Sequence, residues 1–256
     1  MDLMLKGKRA LITSGTRGLG LAMAKQLLAE GAHVSICSRS PSNVEQALVE
    51  LRRVGGRVIG EAADVGDVDS YSRWIGNSIQ ALGGADIFIF NTSFNTSAEG
   101  ANHGDSGWRR AMEIDLLGAT RGVEALTPHL VESGGAILFT ASVAAVEKMF
   151  GPLPYNAVKA ALLNYAKNLS VTLGSRGVRV NCLSPGPIQY PGGAWEQIEK
   201  GNPALYELMR AKTDLGHFGA LDDIGHAAAF LVSPAAKFIT GINLLVDGGT
   251  SGHVGG

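Results

Sequence analysis

Cysteine is scarce in this chain: two in 256 residues, Cys37 and Cys182. They fit no metal-ligand spacing, and each lies inside or at the end of an apolar run, so both read as small buried hydrophobes in a reducing compartment. An excess of charge of either sign is missing too. Lys and Arg number 22 against 23 Asp and Glu, a net charge of −1. The charges are scattered, which leaves no basic face for nucleic acid and no polybasic tract for anionic lipid. No apolar run approaches the ~20 residues of a membrane span, and Met1–Lys8 lacks a signal-peptide core. A soluble, cytoplasmic protein is expected. Internal repeats, low-complexity tracts and linkers are also absent, and the length permits one sizeable core, so a single domain over 1–256 is expected.

What is present is rhythm. Strand-like runs at Arg9–Ser14, His33–Ser38, Arg57–Ala62, Ala85–Asn91, Ala136–Ser142, Val178–Leu183 and Asn243–Val246 alternate with amphipathic segments. The latter run over Gly20–Glu30, Val44–Val54, Val68–Leu82, Arg109–Glu132, Asn156–Ser175 and Asp222–Val232. Such βαβ alternation predicts an α/β fold, a parallel sheet with helices on both faces. The stretch Ser184–Gly216 breaks the pattern: prolines and paired glycines precede a helical patch carrying Trp195, Ile198, Leu205, Tyr206 and Met209. An insertion of that size after the sixth strand is expected to be functional or mobile.

Three residues suggest chemistry. Tyr155 and Lys159 are four apart in a helix-favouring stretch, which puts both side chains on one face. A phenol titrates near pH ~10 when unperturbed, and a neighbouring ammonium favours its ionised form. Ser142 ends the apolar run from Ala136, so its hydroxyl sits at a strand's carboxyl end and can reach the same point. A proton donor, a charge tuner and a carbonyl holder are what reduction of a ketone needs. An isolated Tyr-x-x-x-Lys is common in ordinary helices; the surroundings give this one meaning.

The first strand runs straight into Thr13-Ser-Gly-Thr-Arg-Gly-Leu-Gly20 and then a helix. Glycines at 15, 18 and 20 let backbone approach a phosphate, and the helix N-terminus adds free N–H groups and positive partial charge. The spacing is not the usual G-x-G-x-x-G. After the third strand, Asp64-Val65 offers a carboxylate that could accept from an adenine amino group, or simply cap a helix.

Together these motifs resemble those of the short-chain dehydrogenase/reductase family, from about Leu5 to Gly249. The family's glycine motif aligns on Thr13–Gly20, so the resemblance implies cofactor contacts from Gly15, Thr16, Arg17, Gly18, Leu19 and Gly20. Its adenine-site acid aligns on Asp64, beside Val65, and its catalytic serine, tyrosine and lysine on Ser142, Tyr155 and Lys159, the last two also touching the cofactor. The segment Arg179–Ile188 resembles the one along the nicotinamide, which assigns Pro185, Gly186 and Ile188 to the cofactor. Thr240–Gly249 resembles the last strand, which packs at subunit contacts. The resemblance implies a doubly wound Rossmann-type sheet of seven strands, a nicotinamide cofactor and a homotetramer, with a homodimer as the smaller alternative.

Three departures from the family pattern stand out. Its first fingerprint glycine is Ser14 here. Its Asn-Asn-Ala-Gly after the fourth strand is Phe90-Asn91-Thr92-Ser93, which leaves Asn91, Thr92 and Ser93 as the ribose-side contacts, loses a glycine, and replaces an amide by a phenyl ring. Its catalytic-site asparagine, similar to a structural kink whose backbone carbonyl holds a lysine-linked water, aligns with Asp115. An ionised side chain there would favour charged Lys159; a tolerated isostere is the alternative.

Cofactor choice can be argued from charge. Family members that prefer NAD resemble one another in carrying an acid at the end of the second strand. This chain has Ser38 there, Arg39 next and Arg17 in the glycine loop. Two guanidiniums and a hydroxyl suit an extra phosphate, so NADP(H) is expected over NAD(H). Phe94, Val143, Met149, Phe150, Leu153, Pro187 and Trp195 are expected to form an apolar substrate wall, which suits a hydrophobic or medium-sized carbonyl compound. The expected activity is hydride transfer between NADP(H) and a carbonyl or secondary alcohol. The alternatives are enoyl-type reduction on the same scaffold, which the intact Ser142 and short Tyr–Lys spacing oppose, and a catalytically weak NADP(H)-binding sensor or scaffold.

Overall fold

The structure is a computed structural model and describes residues 1–94, 104–149 and 151–252. Among them seven strands form one sheet: β1 (Arg9–Ile12), β2 (His33–Ser38), β3 (Val58–Ala62), β4 (Ile87–Phe90), β5 (Ala136–Thr140), β6 (Arg179–Pro185) and β7 (Asn243–Val246). Their order is β3-β2-β1-β4-β5-β6-β7, and every pair is parallel. The expected doubly wound α/β fold is therefore present. The order reverses between β1 and β4, and the crevice at their carboxyl ends is where such sheets bind ligands.

The central strands are buried on both faces, so they read as unbroken apolar runs such as Ile87-Phe-Ile-Phe90. Alternate residues supply two cores. Ile12, Ile36, Ile87 and Ile89 pack on one face with residues of α1 (Gly18–Ala29), α2 (Pro41–Leu51) and α9 (Leu221–Val232). Leu11, Phe88, Phe90 and Phe139 pack on the other with residues of α3 (Val68–Leu82), α5 (Gly118–Ser133) and α6 (Leu153–Gly174). Helix ends follow local chemistry. Asp67 caps α3 by accepting from Ser70 N at 2.9 Å, and Gly83 ends it at φ 78°. At Gly122 a Cβ would lie 2.5 Å from Phe88 Cζ and Tyr71 Oη, so α5 can lie this close to the sheet only with a glycine.

Two differences from the sequence expectation matter. The amphipathic stretch expected as one helix over Arg109–Glu132 is three pieces: α4 (Asp105–Ala111), a π-helical segment Met112–Leu117, and α5. Periodicity cannot resolve a local widening of the helix that still continues the same apolar face. The insertion at 184–216 contains α7 (Ala194–Gly201) and α8 (Pro203–Ala211), joined at Asn202, which caps α8 by accepting from Leu205 N at 3.1 Å. Both cysteines are buried and unpaired, as expected. Among the described residues no helix is long and apolar enough to cross a membrane, and none group as a metal site.

Candidate active site

The glycine turn leaves β1 at Thr13, whose backbone and side chain both tie it to β4. Thr13 N donates to Ile89 O at 3.1 Å, and Thr13 Oγ1 accepts from Asn91 N at 2.9 Å and Thr92 N at 3.2 Å. Thr13 thus joins the two lips of the crevice, a role that only the register of β1 on β4 exposes. Ser14 stands in the left-handed region, φ 51°, where the family pattern has glycine. Its hydroxyl meets Thr92 Oγ1 at 2.9 Å, so two of the departures from that pattern form one hydrogen bond.

The glycines of the turn let its backbone pack closely on its neighbours. At Gly20 a Cβ would strike the Ser14 carbonyl and come within 2.6 Å of Asn91 Nδ2. Gly15 lies flush against β2, where a Cβ would sit 2.6 Å from Ile36 Cγ2. Arg17, the residue before α1, makes no side-chain cap, and the first turn of that helix holds no acid. The helix therefore presents N–H donors and positive partial charge with no carboxylate beside them, which fits a pyrophosphate. Gly18 at φ 51° faces the Tyr190 hydroxyl, 3.0 Å from where its Cβ would be. Tyr190 lies two residues past Ile188, and no periodicity or motif marks it.

The remaining cofactor candidates spread along the carboxyl ends of the strands. Ser38 ends β2, its Oγ only 3.4 Å from Ser40 O; Arg39, like Arg17, is exposed. Asp64 Oδ1 accepts from Gly66 N at 2.9 Å, and Val65 is buried. Asn91 Nδ2 donates to Ser14 O at 3.4 Å. Ser93 is exposed. Phe90 points away from the crevice into the core, edge-on to Phe88 (6.3 Å between centroids) and Phe139 (6.5 Å). Pro185 ends β6, Gly186 N donates to Val246 O at 2.9 Å, and Ile188 is buried and bridges to Gly219.

The catalytic candidates lie after β5 and on α6, elements joined by the 3-10 turn that follows Ser142. Ser142 follows β5, and its Oγ accepts from Ala144 N at 3.1 Å at the start of a 3-10 turn, Val143–Ala145, that packs on α6. Accepting that N–H leaves the hydroxyl proton to donate elsewhere. Tyr155 and Lys159 lie on successive turns of α6, with Lys159 Nζ 5.7 Å from the centre of the Tyr155 ring. Lys159 is 2% exposed, yet its ammonium is not stranded. It donates to Thr140 O at 3.0 Å and lies 3.4 Å from Asp115 Oδ1. Asp115, 1% exposed, accepts from Phe94 N through Oδ2 at 2.7 Å. A lone buried charge would be strongly unfavourable; this pair is sustained by opposite charge and backbone partners. Behind it, burial pushes the Cys182 thiol up to about 12 against the pull of Lys159, so that cysteine stays neutral.

The residues expected to form the substrate wall differ in exposure. Val143 and Pro187 are buried, Phe94 and Met149 are half-buried, and Leu153 is 55% exposed. Phe94 lies beneath Arg110, 5.9 Å from guanidinium carbon to ring centre. Trp195 packs on Phe218, centroids 4.8 Å apart, and Phe218 also meets Tyr206 at 4.9 Å. These contacts join α7 and α8 to the residues before α9. Phe150 lies outside the described residues.

A glycine turn at the switch point of a doubly wound parallel sheet defines a Rossmann-type fold of the dinucleotide-binding kind. Residues 14–251 match the family model described as Enoyl-(Acyl carrier protein) reductase. Isoepoxydon dehydrogenase of Penicillium expansum is 38% identical over 98% of this chain and 96% of its own length. Human dehydrogenase/reductase SDR family member 4 is 32% identical over 96% of this chain and 88% of its own. Among solved structures, L-sorbose reductase from Gluconobacter frateurii, complexed with NADPH and L-sorbose, superposes with a TM-score of 0.88. It is 29% identical, with 99% of this chain and 100% of that one covered. The chain belongs to the short-chain dehydrogenase/reductase family, and it is an oxidoreductase.

Proposed function

We propose that this protein is an NADP(H)-dependent carbonyl reductase, or secondary-alcohol dehydrogenase in reverse. The observation that carries the reading is the pairing of Tyr155 with buried Lys159 on α6 beside Ser142 at the end of β5. When bound, the nicotinamide supplies the hydride for the carbonyl carbon, or accepts it in the oxidative direction. Ser142 donates a hydrogen bond to the carbonyl oxygen and orients it. Tyr155 gives that oxygen its proton in reduction and takes it back in oxidation, acting as general acid and base. Lys159 holds positive charge beside the phenol, which favours its ionised form, and contacts the cofactor ribose. The glycine turn from Gly15 to Gly20, with Asn91, Thr92 and Ser93 opposite, would hold the pyrophosphate and ribose. Asp64 and Val65 would serve the adenine, and Pro185, Gly186 and Ile188 the nicotinamide.

Preference for NADP(H) rests on Ser38 in place of an acid, with Arg39 and Arg17 at hand for a ribose phosphate. The NADPH held by the related L-sorbose reductase is consistent with that choice. The substrate is a hydrophobic or medium-sized carbonyl compound bounded by Phe94 and Val143, in a single domain whose 184–216 insertion closes on the nicotinamide end. A cytoplasmic homotetramer is its proposed state. Enoyl reduction, named in the description of the matching family model, is the second reading; Ser142 and the four-residue Tyr–Lys spacing favour ketone chemistry over it.

The test is a panel of ketones, secondary alcohols and enoyl thioesters, followed by absorbance of the reduced nicotinamide, in wild type and Tyr155→Phe. Ketone turnover that falls by at least ~100-fold in the variant, the low end of a general acid's contribution, with NADPH binding retained, is the expected result. Cofactor binding without turnover anywhere on the panel would instead mark a sensor or scaffold.

A further inference from the structure

We propose that Asp115 is a positioning residue through which one buried charge sets both the chain that follows β4 and the lysine that serves Tyr155. The inference rests on Ser142, Tyr155 and Lys159 forming the proton-transfer site, and adds to it a member that works through its side chain rather than its backbone.

The geometry is specific. Asp115 belongs to the π-helical segment Met112–Leu117, where the widened turn displaces residues relative to an uninterrupted α-helix. Its two carboxylate oxygens look in different directions. Oδ2 accepts from Phe94 N at 2.7 Å, four residues past the end of β4. Oδ1 faces Lys159 Nζ at 3.4 Å and has no aligned hydrogen-bond donor among the described residues. Thr140 O accepts from the same ammonium at 3.0 Å. A carboxylate oxygen and a backbone carbonyl thus share one buried ammonium, and the carboxylate oxygen is left without an aligned donor, an arrangement costly unless the charge matters.

Other ionisable groups on the neighbouring elements do not offset Asp115. On α6 the facing groups are Lys159 itself and Tyr155. β5 contributes only Thr140, and on β6 the Cys182 thiol is held neutral by burial. Glu113, on the same π segment, is engaged by Arg121 of α5 at 2.5 Å. On α4, Arg109 pairs with Asp105 at 2.6 Å, and Arg110 lies over the Phe94 ring. Among the described residues, the field at Lys159 and Tyr155 is therefore dominated by one carboxylate. Its negative charge opposes phenolate formation, and the phenolate is the form that accepts the proton in alcohol oxidation.

Two substitutions separate the two roles. Asp115→Asn keeps an acceptor for Phe94 N and removes the charge. The acid limb of the oxidative pH–rate profile should then move to lower pH, because a negative charge near the phenol has been removed. The Michaelis constant should change by less than about twofold, and exchange of the backbone amides over 91–94 should stay slow. Asp115→Ala removes both partners, so exchange over 91–94 should accelerate and the Michaelis constant rise about tenfold. Phe94→Pro deletes the amide proton from the other side and should raise the Michaelis constant well above that of Phe94→Ala, which controls for loss of the ring, and this covers an Asp115→Ala variant that fails to fold. A profile in the Asn variant that is unmoved, or moved to higher pH, overturns the charge role. Unchanged exchange in Asp115→Ala, or a Michaelis constant in Phe94→Pro no higher than in Phe94→Ala, overturns the anchoring role. Loss of turnover in Tyr155→Phe together with any of these would sink this inference alone; turnover retained in Tyr155→Phe would sink the reading beneath it.

Discussion

Arg39→Ala should weaken NADPH and leave NADH almost untouched, because NADH has nothing for this guanidinium to hold. Arg39 follows the last residue of β2 and is exposed. A ribose 2′-phosphate carries close to two negative charges at pH 7, and hydrogen bonds to charged groups contribute roughly 1.5–3 kcal/mol each. At ~1.4 kcal/mol per decade, one good contact corresponds to about ten- to a hundredfold in affinity. Exposure and salt screening place Arg39 toward the lower end, near tenfold. Ser38→Asp should go further. The backbone at 38 is fixed by β3, since Ala63 N donates to Ser38 O at 2.9 Å, and the native hydroxyl has only a 3.4 Å contact to Ser40 O. A carboxylate placed there would repel the phosphate and accept from free ribose hydroxyls, reversing the preference. The assay is the ratio of kcat/KM with NADPH to that with NADH, in wild type and both variants at one ionic strength. A wild type that already prefers NADH would refute the charge argument and return Arg39 to the ordinary surface.

Two further predictions concern stability. The Ser14–Thr92 hydrogen bond should show a coupling of about 0.5–1.5 kcal/mol in a double-mutant cycle of Ser14→Ala and Thr92→Val read by urea unfolding; strict additivity would mean the two hydroxyls share no bond in solution. At the opposite end of the sheet, burial works against ionised Asp86, but hydrogen bonds from Arg9 Nε (2.6 Å) and Arg9 N (2.9 Å), with Lys8 at 3.5 Å, outweigh it and hold its carboxyl below the usual carboxylate range. A depressed folded value makes this contribution complete above the unfolded value near pH ~4 and lost as pH falls through the folded one. The Tm advantage of wild type over Asp86→Asn should therefore be constant from pH 7 to about 5 and shrink below about pH 4; an advantage that persists undiminished at pH 2 would show that the charge is irrelevant.

Much of this molecule was legible from residues alone. The apolar runs that became β1 to β7 are short, β-rich and evenly interrupted, and the amphipathic segment Val68–Leu82 has its observed ends where Asp67 and Gly83 supply local capping chemistry. The common face of Tyr155 and Lys159 needed only the helical repeat, and the glycine turn needed only its place between a strand and a helix. These features are governed by interactions among residues a few positions apart, which periodicity and capping preferences report. What tertiary structure decided involves partners far apart in the chain. Phe90, read as a lost amide in the cofactor crevice, is a core ring packed edge-on against Phe88 and Phe139. Trp195, read as substrate wall, meets Phe218, and Tyr190, which nothing singled out, faces Gly18. Ser14 and Thr92, 78 residues apart, share a hydrogen bond because β1 lies beside β4. Asp115 reaches Lys159 and Phe94 because a π turn interrupts a helix that the sequence pattern continues unbroken. Burial and strand register choose such partners, and neither is a property of any local stretch of chain.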